Sequence, residues 1–384
     1  MRILQLGKFY PIEGGVEKVM WDLTDGISRR RIECDMLCAV LSENVDWLTS
    51  IGLRQRWVER MMEFNEYGRC ICVLARRKVA STMISPAMVM WLRKHCREYD
   101  IIHVHHPDPM ACVALRLSGY KGKVVLHWHS DILKQEGLLL DLYKPFQKWL
   151  INRADIILGT SPVYVKESPW LQDVQDKVSF LPIGIEDNLR KSPVHTAKAT
   201  KVVFSLGRLV EYKGFEYLIE AAGYLPDNYR VVIGGGGPLR EDLEEKIMDA
   251  NLSGKVKLMG LIPPDELADM YNGCDVFVLS SVMKTEAFGI VQIEAMSCGK
   301  PVVSTRIPGS GVSWVNENGV SGLTVPVRDA RALADAVVAV CEDKERYNEY
   351  CKRARERYET KFSFRTMVDG ALEIYDRLLG NENK

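Results

Sequence analysis

The chain has 384 residues, 47% apolar and 27% charged, with 51 basic and 51 acidic side chains that cancel to a formal net charge of zero. That length accommodates two domains with a core each, and the charge balance argues against nucleic acid as the main partner. No apolar run approaches the ~18 residues of a membrane-spanning helix, and the opening M-R-I-L-Q-L-G-K-F-Y lacks the apolar core and cleavage site of a secretory leader, so a cytoplasmic protein is expected.

Ten cysteines, at spacings such as Cys34 to Cys38 and Cys70 to Cys72, fit no zinc or redox pattern. They read as buried free thiols of a reducing compartment. Charge is unevenly divided: residues 1–193 carry about +4 and the remainder about −4.

The first half alternates strand and helix. R-I-L-Q-L-G is a strand, and a helix is expected from about Glu17 to Ser28 after a loop containing Gly14 and Gly15. These glycines let the backbone approach a ligand closely where the helix opens. Residues 54–80 mix arginines with aromatic and apolar side chains. They suit either a segment lying on a membrane surface or a core strand and helix with a solvated basic flank. D-I-I-H-V-H-H-P-D-P and V-V-L-H-W-H-S-D are strands ending in histidines, namely His103, His105, His106, His127 and His129. In open α/β sheets such strand ends line the ligand crevice. Zinc is a poor reading of them, since no clear carboxylate or cysteine set completes a site. An apolar helix pattern with lysines and aromatics covers 138–152, and the polar segment from Glu186 reads as an interdomain linker.

The second half restarts the alternation. K-V-V-F-S-L-G-R-L-V-E-Y-K-G places Arg208 and Lys213 on a loop after a strand, where guanidinium and ammonium could clamp a diphosphate. R-V-V-I-G-G-G-G-P-L-R follows. It fails the dinucleotide fingerprint because Pro238 interrupts it. In Ser280–Thr305, a buried strand leads to Glu286, and a short amphipathic helix is expected from near Phe288, stopped by Gly299 and Pro301. Glu286 then stands at the helix mouth among unpaired amides, a ready anion site. Glu294, eight residues on, lies about 12 Å along nearly the same face. Two carboxylates so spaced, with an anion between them, match a sugar nucleotide: sugar hydroxyls, diphosphate, ribose.

E-A-F-G-I-V-Q-I-E-A-M followed by G-K-P-V-V resembles the glutamate-x7-glutamate signature of retaining glycosyltransferases of family 4, which have the GT-B fold. The resemblance spans essentially the whole chain. It implies that Glu286 binds donor-sugar hydroxyls and Glu294 the ribose. It implies a diphosphate clamp at Gly207, Arg208 and Lys213 (G-R-L-x3-K-G), a backbone turn at Gly237 (G-x-G-P), and a glycine loop at Gly15. The amides of Phe288, Gly289, Ile290 and Val291 would face the donor. His129 aligns with a histidine that contacts the donor sugar. His127 stands where relatives often have threonine and receives no role. The catalytic set expected is Arg208, Lys213, Glu286 and His129. Two departures stand out. Trp314 lies near the place of a glutamate in the loop R-I-P-G-S-G-V-S-W-V-N, and no D-x-D motif occurs, so no metal or other cofactor is expected.

The fold expected is α/β, two Rossmann-like domains facing across a cleft. Residues 1–190 would bind the acceptor and 198–360 the nucleotide sugar, with a C-terminal helix, 364–384, returning to the first. The activity implied is hexosyl transfer with retention, from a nucleotide-diphosphate sugar to a glycan or lipid-linked sugar. No carboxylate is left over as a nucleophile, which favours a front-face route. H-S-D-I-L-K-Q and L-Y-K-P-F-Q look most like transferases of bacterial surface polysaccharide assembly, many of which use GDP-mannose. Alternatives are a UDP-sugar donor, a nucleotide-sugar epimerase of the same fold, and a non-catalytic binding module. The clamp argues against the epimerase. Peripheral contact with the inner membrane face, through Arg76, Arg77, Lys78, Lys144 and Lys148, is a further expectation.

Overall fold

The computed structural model describes residues 1–10, 12, 14–41, 59–79, 82–132, 138–191 and 200–380. Arg54, Arg56 and Trp57, from the basic and aromatic segment, lie outside them. The chain divides into two units, Met1–Pro182 with Met367–Lys384, and Ile183–Thr366.

Unit 1 is built on an eight-stranded sheet. Its strands are β1 (Arg2–Phe9), β2 (Glu33–Leu41), β3 (Glu59–Asn65), β4 (Gly68–Ala75), β7 (Ile101–His106), β8 (Lys123–Trp128), β9 (Ile156–Gly159) and β10 (Val178–Phe180). A separate hairpin pairs β5 (Arg77–Val79) with β6 (Thr82–Ile84). The sheet order is β10-β9-β8-β7-β1-β2-β4-β3. Only the β3–β4 pairing is antiparallel. The strands are covered by α1 (Gly15–Ser28), α2 (Pro86–His95), α3 (Pro109–Ser118), α4 (Leu138–Arg153) and the short α5 (Pro162–Lys166). In α1, Val19, Met20, Leu23 and Ile27 recur on one buried face, the stripe a helix needs to cover a sheet. Where a core strand and helix were one of the two readings of residues 54–80, the described residues of that stretch form the strands β3, β4 and β5 and no helix.

Unit 2 is a six-stranded, wholly parallel sheet in the order β13-β12-β11-β14-β15-β16. The strands are β11 (Lys201–Leu206), β12 (Tyr229–Gly234), β13 (Val256–Gly260), β14 (Val276–Leu279), β15 (Val302–Arg306) and β16 (Gly322–Pro326). The helices are α6 (Phe215–Tyr224), α7 (Arg240–Asp249), α8 (Pro264–Gly273), α9 (Ile290–Ser297), α10 (Val312–Val315), α11 (Ala330–Cys341) and α12 (Lys344–Arg357). The strand V-F-V-L of β14 is buried at every position, as expected for a parallel strand covered on both faces. The order reverses between β11 and β14, the topological switch point of a doubly wound sheet.

The expected linker begins later than the division between the units. Residues 183–191 pack within unit 2: Tyr358 Oη donates to the Ile185 carbonyl at 2.8 Å, and Arg355 pairs with Asp187 at 2.5 Å. Beyond a π-helical turn at Tyr358–Phe362, α13 (Phe364–Leu379) begins. Its buried Met367, Val368, Ala371, Ile374 and Tyr375 belong to unit 1.

Candidate functional site

In unit 2 the loops leaving β11 and β14 supply the polar groups at the switch point. Gly207 and Arg208 follow β11, and the turn Glu211–Lys213 precedes α6. That turn is tied to the β14 loop by Ser280 Oγ donating to the Lys213 carbonyl at 3.0 Å. The Val282 amide also donates to the Tyr212 carbonyl at 2.8 Å. Gly207 leaves room for the stem of Lys213: a Cβ there would stand 3.1 Å from its Cε. Gly235, with φ +125°, approaches even closer, since a Cβ would fall 1.9 Å from the Gly207 carbonyl oxygen. Only glycine permits these two loops to meet backbone to backbone. Gly237 abuts the Leu209 backbone in the same way.

Lys213 Nζ lies 2.5 Å from Glu286 Oε2, with both side chains about 10% exposed. The same carboxylate oxygen accepts from Ser281 Oγ at 2.9 Å. Burial opposes the charge on Lys213, but Glu286, Tyr212 and Glu294 together outweigh it and hold the ammonium above its ordinary range. Thus Lys213 is a firm cation under the influence of both signature glutamates. Arg208 is exposed and makes no ion pair among the described residues.

The α9 helix starts later than the sequence pattern suggested. Gly289 has φ +77° and serves as N-cap, so the helix begins at Ile290. Phe288 and Gly289 are loop residues, and Glu286 lies four residues ahead of the helix. The two glutamates therefore do not share a helical face, and the 12 Å helical spacing does not apply. The loop is held from elsewhere. Ser310 Oγ donates to the Glu286 carbonyl, the Gly311 amide to the Ala287 carbonyl at 2.9 Å, and Gln292 Nε2 to the Phe288 carbonyl at 3.0 Å. The Phe288 ring packs edge-on against Phe362, 5.8 Å away. The amides of Phe288, Gly289, Ile290 and Val291 have no acceptor among the described residues, leaving donors open to an anion. Glu294, on α9, accepts from Tyr271 Oη at 2.5 Å. Tyr271 is fully buried on α8, and burial followed by the Glu294 charge raises its phenol well above the ordinary range.

The departure at Trp314 has a structural basis. Arg357 donates to the carbonyls of Trp314 and Val315 and stacks over the Trp314 ring at 6.0 Å. The preceding Ser310 and Gly311 are the residues that hold the Glu286 loop.

In unit 1 the order reverses between β1 and β7. Lys8 follows Gly7 with φ 60°, donates its amide to the Asp108 carboxylate, and reaches the Pro107 carbonyl with Nζ at 2.7 Å. Asp108 caps α3 through Met110 and Ala111. The five histidines are all buried, and burial lowers them, His106 and His127 to about 3, with neighbouring charges adding to the effect at His103, His105, His106 and His129.

A hydrogen-bonded chain fixes the form of His129. Gln5 Nε2 donates to Tyr375 Oη at 3.2 Å, so Gln5 Oε1 faces His105 Nε2 at 2.8 Å and accepts its proton. The other ring nitrogen of His105, Nδ1, is then bare and accepts from His129 Nε2–H at 2.9 Å. His129 consequently keeps an unprotonated Nδ1 as an acceptor. Tyr375 completes the chain by donating to His103 Nδ1 at 2.5 Å. His105, His127 and His129 bring ring nitrogens within 4.8 Å of one another, but they do not form a chelate. His127 and His129 stack at 3.9 Å with planes 19° apart. In-plane lone pairs on stacked rings do not converge on one ion.

Gly15 is the first residue of α1 and is exposed, with Gly14 as N-cap. Sequence reasoning missed Tyr271, Ser281, Ser310, Gln5 and Tyr375. Their roles arise from contacts between elements far apart in the chain.

The sequence model "Glycosyltransferase Family 4" matches residues 13–189, and "Glycosyl transferases group 1" matches 187–357. A putative colanic acid biosynthesis glycosyltransferase, WcaL of Escherichia coli K12, is 31% identical over 69% of this chain and 67% of its own. The chain belongs to glycosyltransferase family 4. The O-antigen chain mannosyltransferase C of Escherichia coli is 29% identical over the full length of both proteins. Among solved structures, Anabaena Alr3699/HepE in complex with UDP superposes with a TM-score of 0.76 at 20% identity, over 98% of this chain and all of that one. This family 4 glycosyltransferase therefore has the GT-B fold, with two Rossmann-like units.

Proposed function

We propose that the enzyme transfers a hexose, with mannose favoured, from a nucleotide-diphosphate sugar to a glycan or lipid-linked sugar in surface polysaccharide assembly, retaining the anomeric configuration. The pairing of Lys213 with Glu286, beside open amides at the unit 2 switch point, carries this reading. It sets a firm cation and anchored carboxylate where a doubly wound sheet binds ligands. The mannosyltransferase relative supports the sugar.

In this scheme the acceptor hydroxyl attacks C1 of the donor sugar from the face the diphosphate leaves. The C1–O bond to the diphosphate breaks as the acceptor O–C1 bond forms, and the hydroxyl proton passes to a leaving-phosphate oxygen. Arg208, Lys213 and the amides of Phe288–Val291 stabilise the charge that grows there, about 3–4 kcal/mol per donor group. Glu286 is held by Lys213 and Ser281 on one oxygen, leaving the other for a sugar hydroxyl. Glu294, oriented by Tyr271, takes the ribose. Leu261, 84% exposed after β13 and in contact range of a Cβ at Gly236, offers an apolar platform for the base. His129 contributes an acceptor nitrogen for a sugar hydroxyl, and unit 1 carries the acceptor.

Thermal-shift measurements with GDP, UDP, ADP and dTDP test the donor. A ligand at 100 times its Kd stabilises by about 2.7 kcal/mol, and GDP is expected to give the largest shift. GDP-mannose turnover with a glycan acceptor, and NMR of the new anomeric centre, then test the sugar and the retention. Formation of a new sugar nucleotide from donor alone would replace transfer with epimerisation.

A further inference from the structure

The linear spacing of the cysteines fits no metal pattern, but strand pairing changes which of them meet. The parallel register of β2 and β4 sets Cys38 opposite Cys72 and Met36 opposite Cys70. Across the next pairing, Met62 of β3 stands opposite Cys70. Residues two apart on a strand share a face, so Cys38, Cys70 and Cys72 converge on one face of the sheet. They are 0%, 0% and 3% exposed. Met20 of α1 and Met36 belong to the same buried cluster, with Met62 packed against it.

The three sulfurs form a nearly equilateral triangle, with edges of 3.6 Å (Cys38–Cys72), 3.8 Å (Cys70–Cys72) and 3.9 Å (Cys38–Cys70). Zinc binds thiolate at about 2.3 Å, which makes a tetrahedral sulfur–sulfur edge about 3.8 Å. The triangle's centre is about 2.2 Å from each sulfur, so an ion at bonding distance sits just out of the sulfur plane without repacking the strands.

We propose that Cys38, Cys70 and Cys72 form a three-thiolate site for zinc, distant in sequence and chemistry from the transferase residues. Soft sulfur donors select closed-shell thiophilic ions. A divalent ion leaves one net negative charge with three thiolates, whereas a monovalent ion leaves two, and buried charge is costly. Binding breaks three S–H bonds and forms three S–Zn bonds, and three protons pass to solvent.

Metal content of the full chain, purified under reducing conditions from zinc-supplemented cells, should show one zinc per chain. Refolding with cobalt in place of zinc should give sulfur-to-cobalt charge-transfer bands and visible d–d bands of thiolate coordination. Reconstitution should release three protons per ion. A Cys38→Val, Cys70→Val, Cys72→Val variant should lose the ion and the bands, whereas Cys112→Ala and Cys274→Ala should keep both. Wild-type protein without bound ion, both as isolated and after refolding with cobalt, would overturn the proposal whether or not the triple variant folds. So would cobalt bands that persist in a folded triple variant.

Discussion

Lys213 Nζ and Glu286 Oε2 stand 2.5 Å apart, joining by one ion pair the two loops that leave the central strands of unit 2. In the proposed scheme a donor diphosphate at Lys213 shares this ammonium with Glu286, so the pair would link phosphate binding to the carboxylate proposed for the sugar.

The clamp residues should separate by their effect on stability. Arg208→Ala and Lys213→Ala are each expected to lower kcat about 100-fold or more, because leaving-group charge peaks in the transition state. Only Lys213→Ala leaves a buried carboxylate without its cation. It should lower unfolding stability by up to about 3 kcal/mol, the low end for a broken buried pair since Ser281 still donates to Glu286. Steady-state kinetics with urea unfolding of both variants checks this. Near-wild-type activity of the double variant would move the clamp elsewhere.

Glu294→Ala should raise donor KM more than it lowers kcat, since a ribose contact is made equally in ground and transition states. Tyr271→Phe should change KM in the same direction, by about 10-fold or more if a hydrogen bond to a charged group is lost. A large kcat loss at unchanged KM in Glu294→Ala would contradict the ribose role.

The alternation of strands and helices, and the loops that carry Gly207, Lys213 and Glu286, were legible because buried parallel strands read as short apolar runs closed by glycine after β11 and by Ser280-Ser281 after β14. The helix start was not. Phe288 continues an apolar pattern, and only the left-handed conformation of Gly289 delays the first turn to Ile290. Nor could sequence join Gln5 to Tyr375, 370 residues apart, or Tyr271 to Glu294, since those pairs depend on how helices dock on the sheet. The meeting of Cys38 with Cys72 depends on strand register, which spacing along one strand does not encode.

Acid should destabilise unit 1 steeply. His103, His105, His106, His127 and His129 are neutral in the fold, with values lowered chiefly by burial, to about 3 for His106 and His127. Between those values and the unfolded value of about 6.5, the unfolded chain binds more protons. Stability therefore falls as pH drops below 6.5, by up to about 1.4 kcal/mol per pH unit for each histidine. Urea unfolding at pH 7.5, 6.5, 6.0 and 5.5 should show the loss, and His127→Phe should lessen its slope. A flat profile would mean these imidazoles already carry protons when folded.

The chain from Gln5 through His105 predicts the proton on Nε2 of His129. Nitrogen-15 NMR of labelled histidine should find that tautomer in the wild type. Gln5→Leu removes the acceptor that fixes His105, so His129 should become a mixture of tautomers and kcat should fall by up to about 10-fold, the loss of one neutral hydrogen bond to a sugar hydroxyl. A single unchanged tautomer in Gln5→Leu would show that another group sets it.

Arg76, Arg77, Lys78, Lys144 and Lys148 are all exposed, and Lys144 also lies 2.7 Å from Asp141. Among the described residues no helix is long and apolar enough to cross a membrane. Each basic side chain near an anionic surface contributes about 1 kcal/mol. Co-sedimentation should therefore require anionic liposomes, fade toward 1 M salt as the Debye length falls to about 3 Å, and drop when these five residues become Gln. Lys144→Gln alone should change little. Equal binding to neutral and anionic vesicles would exclude an electrostatic contact.

Unit 1 is assembled from both ends of the chain, because Met367–Lys384 closes a fold that otherwise ends at Pro182. On the ribosome, Gln5 and His103 must wait for Tyr375 while about 200 further residues are made, roughly 10–40 s at ordinary elongation rates. The nascent first unit spends that interval with an uncovered apolar face and a buried polar network lacking its phenol. Premature termination anywhere in the second unit would thus release two damaged domains rather than one, and the interval is when a chaperone would have most to hold.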